Sequence, residues 1–252
     1  MNVINSLMSW RSFFIPRSAA LRWEYQMKVA NLEVKLRGLH GHHDEQKNWD
    51  TLRCLKSLER YFWRELRRGS KSVRVLDAGS GSKPWILQWL ADRNRNLRLF
   101  ACDRTPVAIN RKVFRDVDFT VQEMSSTSYK DAYFDAVTCI SAIEHGVDTH
   151  TFFKEMARVL KVGGLLLIST DYWPTPLETQ QLFPYGEQYG PMRVFTKDEI
   201  SEMIHDAQRC GFSLVGSVRR ATRAGRKVVL WKRMDVRYTF TFISFRRVSN
   251  GN

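Results

Sequence analysis

The feature that most constrains the fold is a regular alternation, from Val73 onward, of short apolar or β-branched runs with segments of helical periodicity. Such alternation is typical of an α/β fold with an open, mostly parallel sheet and helices on both faces. The predicted strands cover residues 73–76, 97–102, 117–121, 134–140, 165–169, 212–218 and 237–246. Since no clear helix separates the last two, we expect a seven-stranded sheet whose last strand is antiparallel. The basic linker between them has room for a further short strand at 228–231.

Helix signals fit between these strands. Pro84 and Pro106 stand where helices begin, because a proline in the first turn loses no needed hydrogen bond. We therefore expect a helix after Pro84 and another from Thr105 to about residue 114. A further helix is expected over residues 149–160, ending at a glycine pair, and one begins with the capping-box sequence at 196–199.

Two segments differ from this pattern. Residues 1–72 carry helical periodicity at 21–36 and 49–66, which predicts an N-terminal helical extension or lid. Residues 170–194 contain four prolines and five aromatic side chains. A long, irregular loop in a compact domain is usually functional, so we expect this one to contact a substrate.

The net charge of +14 is concentrated at the two ends of the chain. Residues 1–72 hold 14 basic and 7 acidic residues, residues 73–212 hold 16 and 18, and residues 213–252 hold 10 and 1. We expect these basic flanks to meet an acidic partner, namely a phosphorylated carrier, an anionic membrane surface or RNA. The alternative is a charged soluble surface that has no such partner.

Composition limits the class of protein. Apolar residues make up 43% of the chain, which excludes global disorder. No apolar run approaches the roughly 20 residues of a membrane span. The four cysteines are widely spaced, which predicts reduced thiols and a cytoplasmic protein. Aromatic residues near Arg11 and Arg17 leave peripheral attachment to a membrane open.

Acidic residues mark the carboxyl ends of the first two predicted strands. The first strand runs into residues 77–81 (DAGSG), and the second ends at Asp103, 22 residues after Gly81. Ligands bind at this edge of an open parallel sheet. The glycines let the backbone approach a ligand, and the Asp103 carboxylate can accept both hydroxyls of a ribose. Pro84 stands where a dinucleotide fingerprint has its third glycine, which counts against a dinucleotide.

Residues 75–81 (VLDAGSG) resemble the first motif of class I S-adenosylmethionine-dependent methyltransferases. The resemblance continues, in order, through residues 134–137 (FDAV), 143–145 (IEH) and 157–164 (ARVLKVGG), and the set is similar to the methyltransferase type 11 group. It implies a Rossmann-like fold over residues 73–252, with S-adenosylmethionine as cofactor. Val162 departs from the family, which usually has proline there.

The resemblance also implies roles for individual residues. Those implied for the methionine part of the cofactor are Asp77, Gly79, Ser80 and Gly81. Those implied for its ribose are Asp103, with Arg104 beside it, and those implied for its adenine are Glu123 and Met124. Ser141, just past the fourth strand, would line the same pocket.

Catalysis needs few protein groups, because the sulfonium is already an activated methyl donor. An oxygen nucleophile must also lose a proton, so a positioned base helps. His145 follows the fourth strand, and imidazole titrates near neutrality, which makes it the leading candidate. Asp171 and Tyr172 follow the fifth strand and are candidates for base or substrate contact. The structural alternative is that all three only support the loops around them.

The acceptor is less constrained than the cofactor. Residues 170–174 (TDYWP) and 184–186 (PYG) resemble methyltransferases of bacterial polysaccharide and glycan pathways, which implies O-methylation of a sugar or other small molecule. Alternatives are an RNA methyltransferase that uses the basic flanks and a non-catalytic methyltransferase-like binding subunit. His40, His42, His43 and Asp44 have no distal partner in the sequence, so we expect no metal site there.

Overall fold

The computed structural model describes residues 19–42, 45–67, 72–91, 96–106, 110, 112–183, 186–218, 222, 227, 229–232 and 235–248. Their central feature is one mixed sheet. Its strands are β1 (Val73–Ala78), β2 (Leu97–Asp103), β3 (Val117–Val121), β4 (Phe134–Ile140), β5 (Leu160–Tyr172), β6 (Phe212–Leu214), β7 (Val229–Trp231) and β8 (Val236–Arg247). The order is β3-β2-β1-β4-β5-β8-β6, and β7 pairs with β8. Strands β1 to β5 are parallel, and β8 runs antiparallel to β5, β6 and β7.

Five α-helices accompany the sheet within the described residues. They are α1 (Ala19–Leu36), α2 (Asn48–Arg67), α3 (Trp85–Ala91), α4 (Thr149–Val159) and α5 (Lys197–Arg209), with 3-10 turns at Glu45–Lys47 and Glu187–Tyr189. Helix α5 has the predicted capping box, in which the Glu199 backbone N–H donates to Thr196 Oγ1 and the Thr196 backbone N–H donates to Glu199 Oε2. None of the described helices combines the length and apolar character needed to cross a bilayer.

The α/β fold and the antiparallel last strand are confirmed. Strand bounds shift by a few residues, since β6 ends at Leu214 rather than residue 218 and β5 extends beyond the predicted 165–169, and three larger details also differ. The sheet has eight strands rather than seven, because the short segment β7 joins β8. The helix expected from Thr105 to residue 114 is not found, since the described residues there form bends and turns; residues 107–109 and 111 lie outside the described chain. The glycine pair expected to end α4 lies inside β5 instead, and Gly163 has a φ of +83° there.

Side chains of β5 alternate between two cores, one on each face of the sheet. Leu165 and Leu167 pack with α1, α2 and α3, while Leu166 and Ile168 pack with α4 and α5. Helix α2 belongs fully to the first core, because its Leu55 and Leu58 are completely buried there. The N-terminal region therefore shares its core with the sheet, and its first turn reaches the carboxyl ends of the strands.

Candidate active site

The turn after β1 presents bare backbone at the carboxyl edge of the sheet. Gly79 has a φ of +73°, and a Cβ placed on it would lie 2.5 Å from Ala142 Cβ. The amides of Gly79 and Ser80 donate to the Cys102 carbonyl at 2.9 and 3.1 Å, which ties the turn to β2. Glycine is thus required at residue 79 by both backbone conformation and space.

Asp103, at the end of β2, holds the same turn from the other side. Its Oδ2 accepts the Gly81 N–H at 2.9 Å, and its Oδ1 accepts the Thr105 N–H at 2.9 Å. Each carboxylate oxygen has a second lone pair, so Asp103 can accept further donors from the cavity that it lines.

A cavity of about 450 Å³ lies against this turn, and we call it the turn cavity. It is lined by Gly79, Gly81, Asp103, Arg104, Thr105, Glu123, Met124, Ser141, Ala142, His145, Val147 and Tyr189. Seven of the nine residues that the sequence implied for the cofactor are in this lining; Asp77 and Ser80 line a neighbouring cavity instead. Arg104 closes one side, because its guanidinium donates to the His145 carbonyl at 3.0 Å and lies over the Tyr189 ring at 4.4 Å.

The neighbouring cavity has a volume of about 1010 Å³, and we call it the large cavity. Its described lining comes from the segment before α2, from the carboxyl ends of β1, β4 and β5, and from the β7–β8 hairpin. The two cavities share Gly79, Gly81, Ser141 and His145. A group bound in one cavity therefore meets a group bound in the other at these four residues.

Asp77 is a buried carboxyl group in the wall of the large cavity. Thr138 Oγ1 donates to its Oδ1 at 2.7 Å. Burial raises the pKa of Asp77 to about 7; Thr138 opposes the shift, and the charge of Asp103 adds to it. Asp77 therefore changes its charge near neutral pH, and a cation beside it would favour the carboxylate.

His145 lies where the two cavities join. Burial lowers its pKa to about 4; the charge of Asp171 opposes this shift, and those of Lys47 and Arg104 add to it. The imidazole is therefore neutral at pH 7 and can accept a proton from a nearby hydroxyl.

Near Ser141 the structure brings together polar residues that were not predicted for the site, and two of them, Lys47 and Asp50, come from the N-terminal region. Lys47 Nζ donates to Ser141 Oγ at 2.6 Å and lies 4.0 Å from Asp171 Oδ1. Asp50 Oδ2 accepts from Ser169 Oγ at 2.8 Å, and burial raises the pKa of Asp50. Glu144 Oε2 accepts from Thr170 Oγ1 at 3.0 Å. Of these residues, Glu144 alone stood in a recognised motif, so it is the one that a sequence signal could have identified.

Asp171 and Tyr172, both predicted for catalysis, point to opposite faces of the sheet. Asp171 lines the large cavity, whereas Tyr172 is fully buried in the core under α4 and α5. The Tyr172 hydroxyl donates to the Thr222 carbonyl at 2.5 Å. The structure does not bring Tyr172 to the site, because successive side chains of a strand alternate in direction.

Other candidate residues have structural partners. The His42 N–H donates to Asn48 Oδ1 at 2.8 Å, and the His40 carbonyl accepts from Trp89 Nε1 at 2.9 Å. His43 and Asp44 lie outside the described residues, as do the aromatic residues near Arg11. Within the described ranges, no group of three or more His, Cys, Asp and Glu side chains is arranged to hold a metal ion.

Comparison with known proteins gives the class of this domain. A family model described as "Methyltransferase domain", of type 11, matches residues 76–168. Residues 76–168 thus match a methyltransferase domain, and the parallel sheet, the glycine turn after β1 and the acid after β2 agree with the class I S-adenosylmethionine-dependent form of that domain. The chain carries such a domain, flanked by N-terminal helices and by the C-terminal part of the sheet.

Two curated relatives match about half of the chain. A probable S-adenosylmethionine-dependent methyltransferase of Mycobacterium tuberculosis is 30% identical over 135 residues, which are 53% of this chain and 47% of that protein. A ubiquinone biosynthesis O-methyltransferase of Pseudomonas aeruginosa is 26% identical over 136 residues, which are 52% of this chain and 58% of that protein. The chain thus spans about half the length of the curated relatives that it matches.

A solved structure resembles nearly the whole chain. The crystal structure of the [4+2]-cyclase SpnF matches with a TM-score of 0.55 and 19% identity, over 92% of this chain and 97% of that one. Identity this low shows the fold alone. Since a protein of this fold is named a cyclase, the reaction has to be argued from the site.

Proposed function

We propose that this protein transfers a methyl group from S-adenosylmethionine to a hydroxyl oxygen of a small molecule, with a sugar or glycan precursor as the favoured acceptor. The observation that carries the proposal is the junction of the two cavities at Ser141 and His145. One cavity suits the cofactor, and the larger one is open to an acceptor. Adjoining cavities can hold a methyl donor close to an acceptor and in line with it, which is most of what methyl transfer needs.

The residues of the turn cavity fit the cofactor. S-adenosylmethionine, when bound, supplies an activated methyl group on a positively charged sulfur. Asp103 has acceptor capacity for the ribose hydroxyls, and the exposed Glu123 carboxylate can accept from the adenine amine. Met124 is buried beside Gly79 and offers an apolar surface to a flat ring. The bare backbone at Gly79 and Gly81, with Asp77 and Ser80 on its other side, would hold the methionine part.

His145 would act as the general base. A neutral imidazole at the junction can take the proton of the acceptor hydroxyl while the oxygen forms its bond to the methyl carbon. The low pKa of His145 makes it a weak base by itself, but an anionic oxygen beside it would favour the protonated form. Asp171 also opposes that low pKa, so it would support the imidazolium that forms.

The first test is calorimetry with S-adenosylhomocysteine, the product form of the cofactor. Wild type is expected to bind one molecule per chain. Asp103→Asn keeps an acceptor for one backbone amide but loses the charge-assisted bonds to ribose, so its Kd is expected to rise roughly tenfold or more. Asp118 is an exposed residue of β3 that lines neither cavity, so Asp118→Asn is the matched control and should bind S-adenosylhomocysteine as wild type does. If S-adenosylhomocysteine does not bind to wild type, the cofactor assignment is refuted.

A further inference from the structure

The buried wall of the large cavity carries two carboxyl oxygens that lack a hydrogen-bond donor among the described residues. They are Glu144 Oε1 and Asp171 Oδ1, on side chains that are 1% and 2% exposed. Both residues line the cavity. A buried acceptor without a donor costs free energy, so these two atoms are prepared for a donor that enters with a ligand.

The neighbouring lysine shows which kind of donor fits. Lys47 Nζ lies 4.0 Å from Asp171 Oδ1, which is beyond hydrogen-bond distance, and it donates to Ser141 Oγ instead. A second ammonium placed beside these carboxyl groups would be repelled by Lys47. Neutral hydroxyl groups avoid that repulsion and can donate to both oxygens.

The exposed side of the same cavity has the opposite charge. Its exposed charged side chains within the described lining are Lys83, Lys232 and Arg237, and the acidic side chains of that lining are all buried. Trp85 and Trp231, both half-buried, also line the cavity. The cavity is therefore acidic at its closed end and basic at its mouth, which favours a ligand with the complementary arrangement.

We propose that the acceptor is a phosphorylated polyol, such as a sugar phosphate, whose hydroxyls donate to Glu144 Oε1 and Asp171 Oδ1 and whose phosphate binds Lys83, Lys232 and Arg237. This proposal rests on the proposed function, since it names the acceptor class of the same site. It also gives part of the basic C-terminal flank a specific role. Lys232 and Arg237 lie on the β7–β8 hairpin, outside the matched domain of residues 76–168.

The test is calorimetry on protein saturated with S-adenosylhomocysteine, using a panel of pentose and hexose phosphates, the corresponding free sugars, and inorganic phosphate. At least one sugar phosphate is expected to bind about tenfold or more tightly than its free sugar and than inorganic phosphate, because each end of the ligand adds hydrogen bonds and those of the phosphate are charge-assisted. If no sugar phosphate binds more tightly than both its free sugar and inorganic phosphate, the proposed acceptor class is wrong.

Variants separate the two ends of the ligand. The double variant Lys232→Gln/Arg237→Gln is expected to lose most of the affinity that a sugar phosphate has over its free sugar. Lys130 is exposed and lines neither cavity, so Lys130→Gln should keep that difference in affinity. In Glu144→Gln the amide oxygen still accepts from Thr170, so the NH₂ group turns toward the cavity and no longer accepts from a sugar hydroxyl. The affinity that a sugar phosphate has over inorganic phosphate is therefore expected to be lost. An equal loss in the Lys130 variant, or no loss in Glu144→Gln, would overturn the assignment.

Binding of S-adenosylhomocysteine in the same experiments distinguishes the two proposals. It also reports that each variant is folded. If wild type does not bind S-adenosylhomocysteine, the proposed function itself fails. If it does bind, while the panel shows no preference for phosphorylated sugars, the methyl transfer proposal stands and the acceptor class alone is refuted.

Discussion

Replacement of Gly79 by alanine tests the geometry of the turn after β1. A Cβ at this position meets two independent costs: the left-handed backbone with φ of +73°, and a distance of 2.5 Å to Ala142 Cβ. The backbone cost is about 1–2 kcal/mol, and forcing a methyl group into a packed site costs about 1–3 kcal/mol. Gly79→Ala is therefore expected to lower the free energy of unfolding by about 2–5 kcal/mol.

Gly81 provides the matched control, because its φ is +58° but a Cβ there meets no atom within 4 Å in the described structure. Gly81→Ala should carry the backbone cost alone, about 1–2 kcal/mol. Urea unfolding followed by circular dichroism measures both variants. In a double-mutant cycle, Ala142→Gly should relieve the contact and recover about 1–3 kcal/mol in the Gly79→Ala background. Equal destabilisation by Gly79→Ala and Gly81→Ala, with no coupling to Ala142, would refute the reasoning.

Three further predictions concern the base, a buried acid and a helix cap. His145→Gln should lower kcat by about 10²–10⁴-fold and S-adenosylhomocysteine affinity by much less, as measured by initial rates and calorimetry; an unchanged kcat would remove His145 as the base. Burial raises the pKa of Asp77 from its usual value near 4 to about 7, so the unfolded chain releases this proton at lower pH and stability is lost as pH rises through that window. Urea midpoints of Asp77→Asn should therefore fall less between pH 4 and pH 7 than those of wild type, and parallel curves would contradict the assignment. Thr196→Ala removes the cap of α5 and should cost about 1 kcal/mol in urea unfolding, whereas no loss would mean that the capping box does not stabilise the helix.

The sequence predicted the parts of the fold that depend on local patterns. Strands β3 and β4 have the predicted bounds. The prediction that the glycine pair at 163–164 ends α4 is wrong, because glycine is common both after helices and in irregular strands. In the structure β5 begins at Leu160 and passes through the pair, with a register shift between Phe134 and Ala136 of β4.

The sequence predicts those parts of the candidate site in which ligand-facing residues directly follow a strand. Gly79 after β1 and Asp103 at the end of β2 are two such residues. Lys47 and Asp50 are not: they come from the N-terminal region and reach Ser141 and Ser169 across 94 and 119 residues of sequence. Their positions follow from how α2 packs on the sheet, which no local pattern specifies.

Some of the basic charge of the C-terminal flank has a structural role. Arg246 donates to the Gly163 carbonyl at 2.7 Å, and Arg247 donates to the Leu160 carbonyl at 2.5 Å. Both arginines thus bind the irregular first part of β5. Lys232 and Arg237, by contrast, line the large cavity. Among the basic residues of this flank that the structure describes, Arg246 and Arg247 thus support β5, while Lys232 and Arg237 lie at the mouth of a cavity.

The central claim is methyl transfer to a small hydroxylated molecule at the junction of the two cavities. The most direct measurement incubates the protein with methyl-tritiated S-adenosylmethionine and, in parallel, with total RNA or with a small-molecule and glycan-lipid extract. The account predicts label in the small-molecule and glycan fraction, greatly reduced in His145→Gln. Label in RNA that falls steeply as salt is added would contradict it in favour of RNA methylation, and binding of the cofactor without any transfer would contradict it in favour of a non-catalytic subunit.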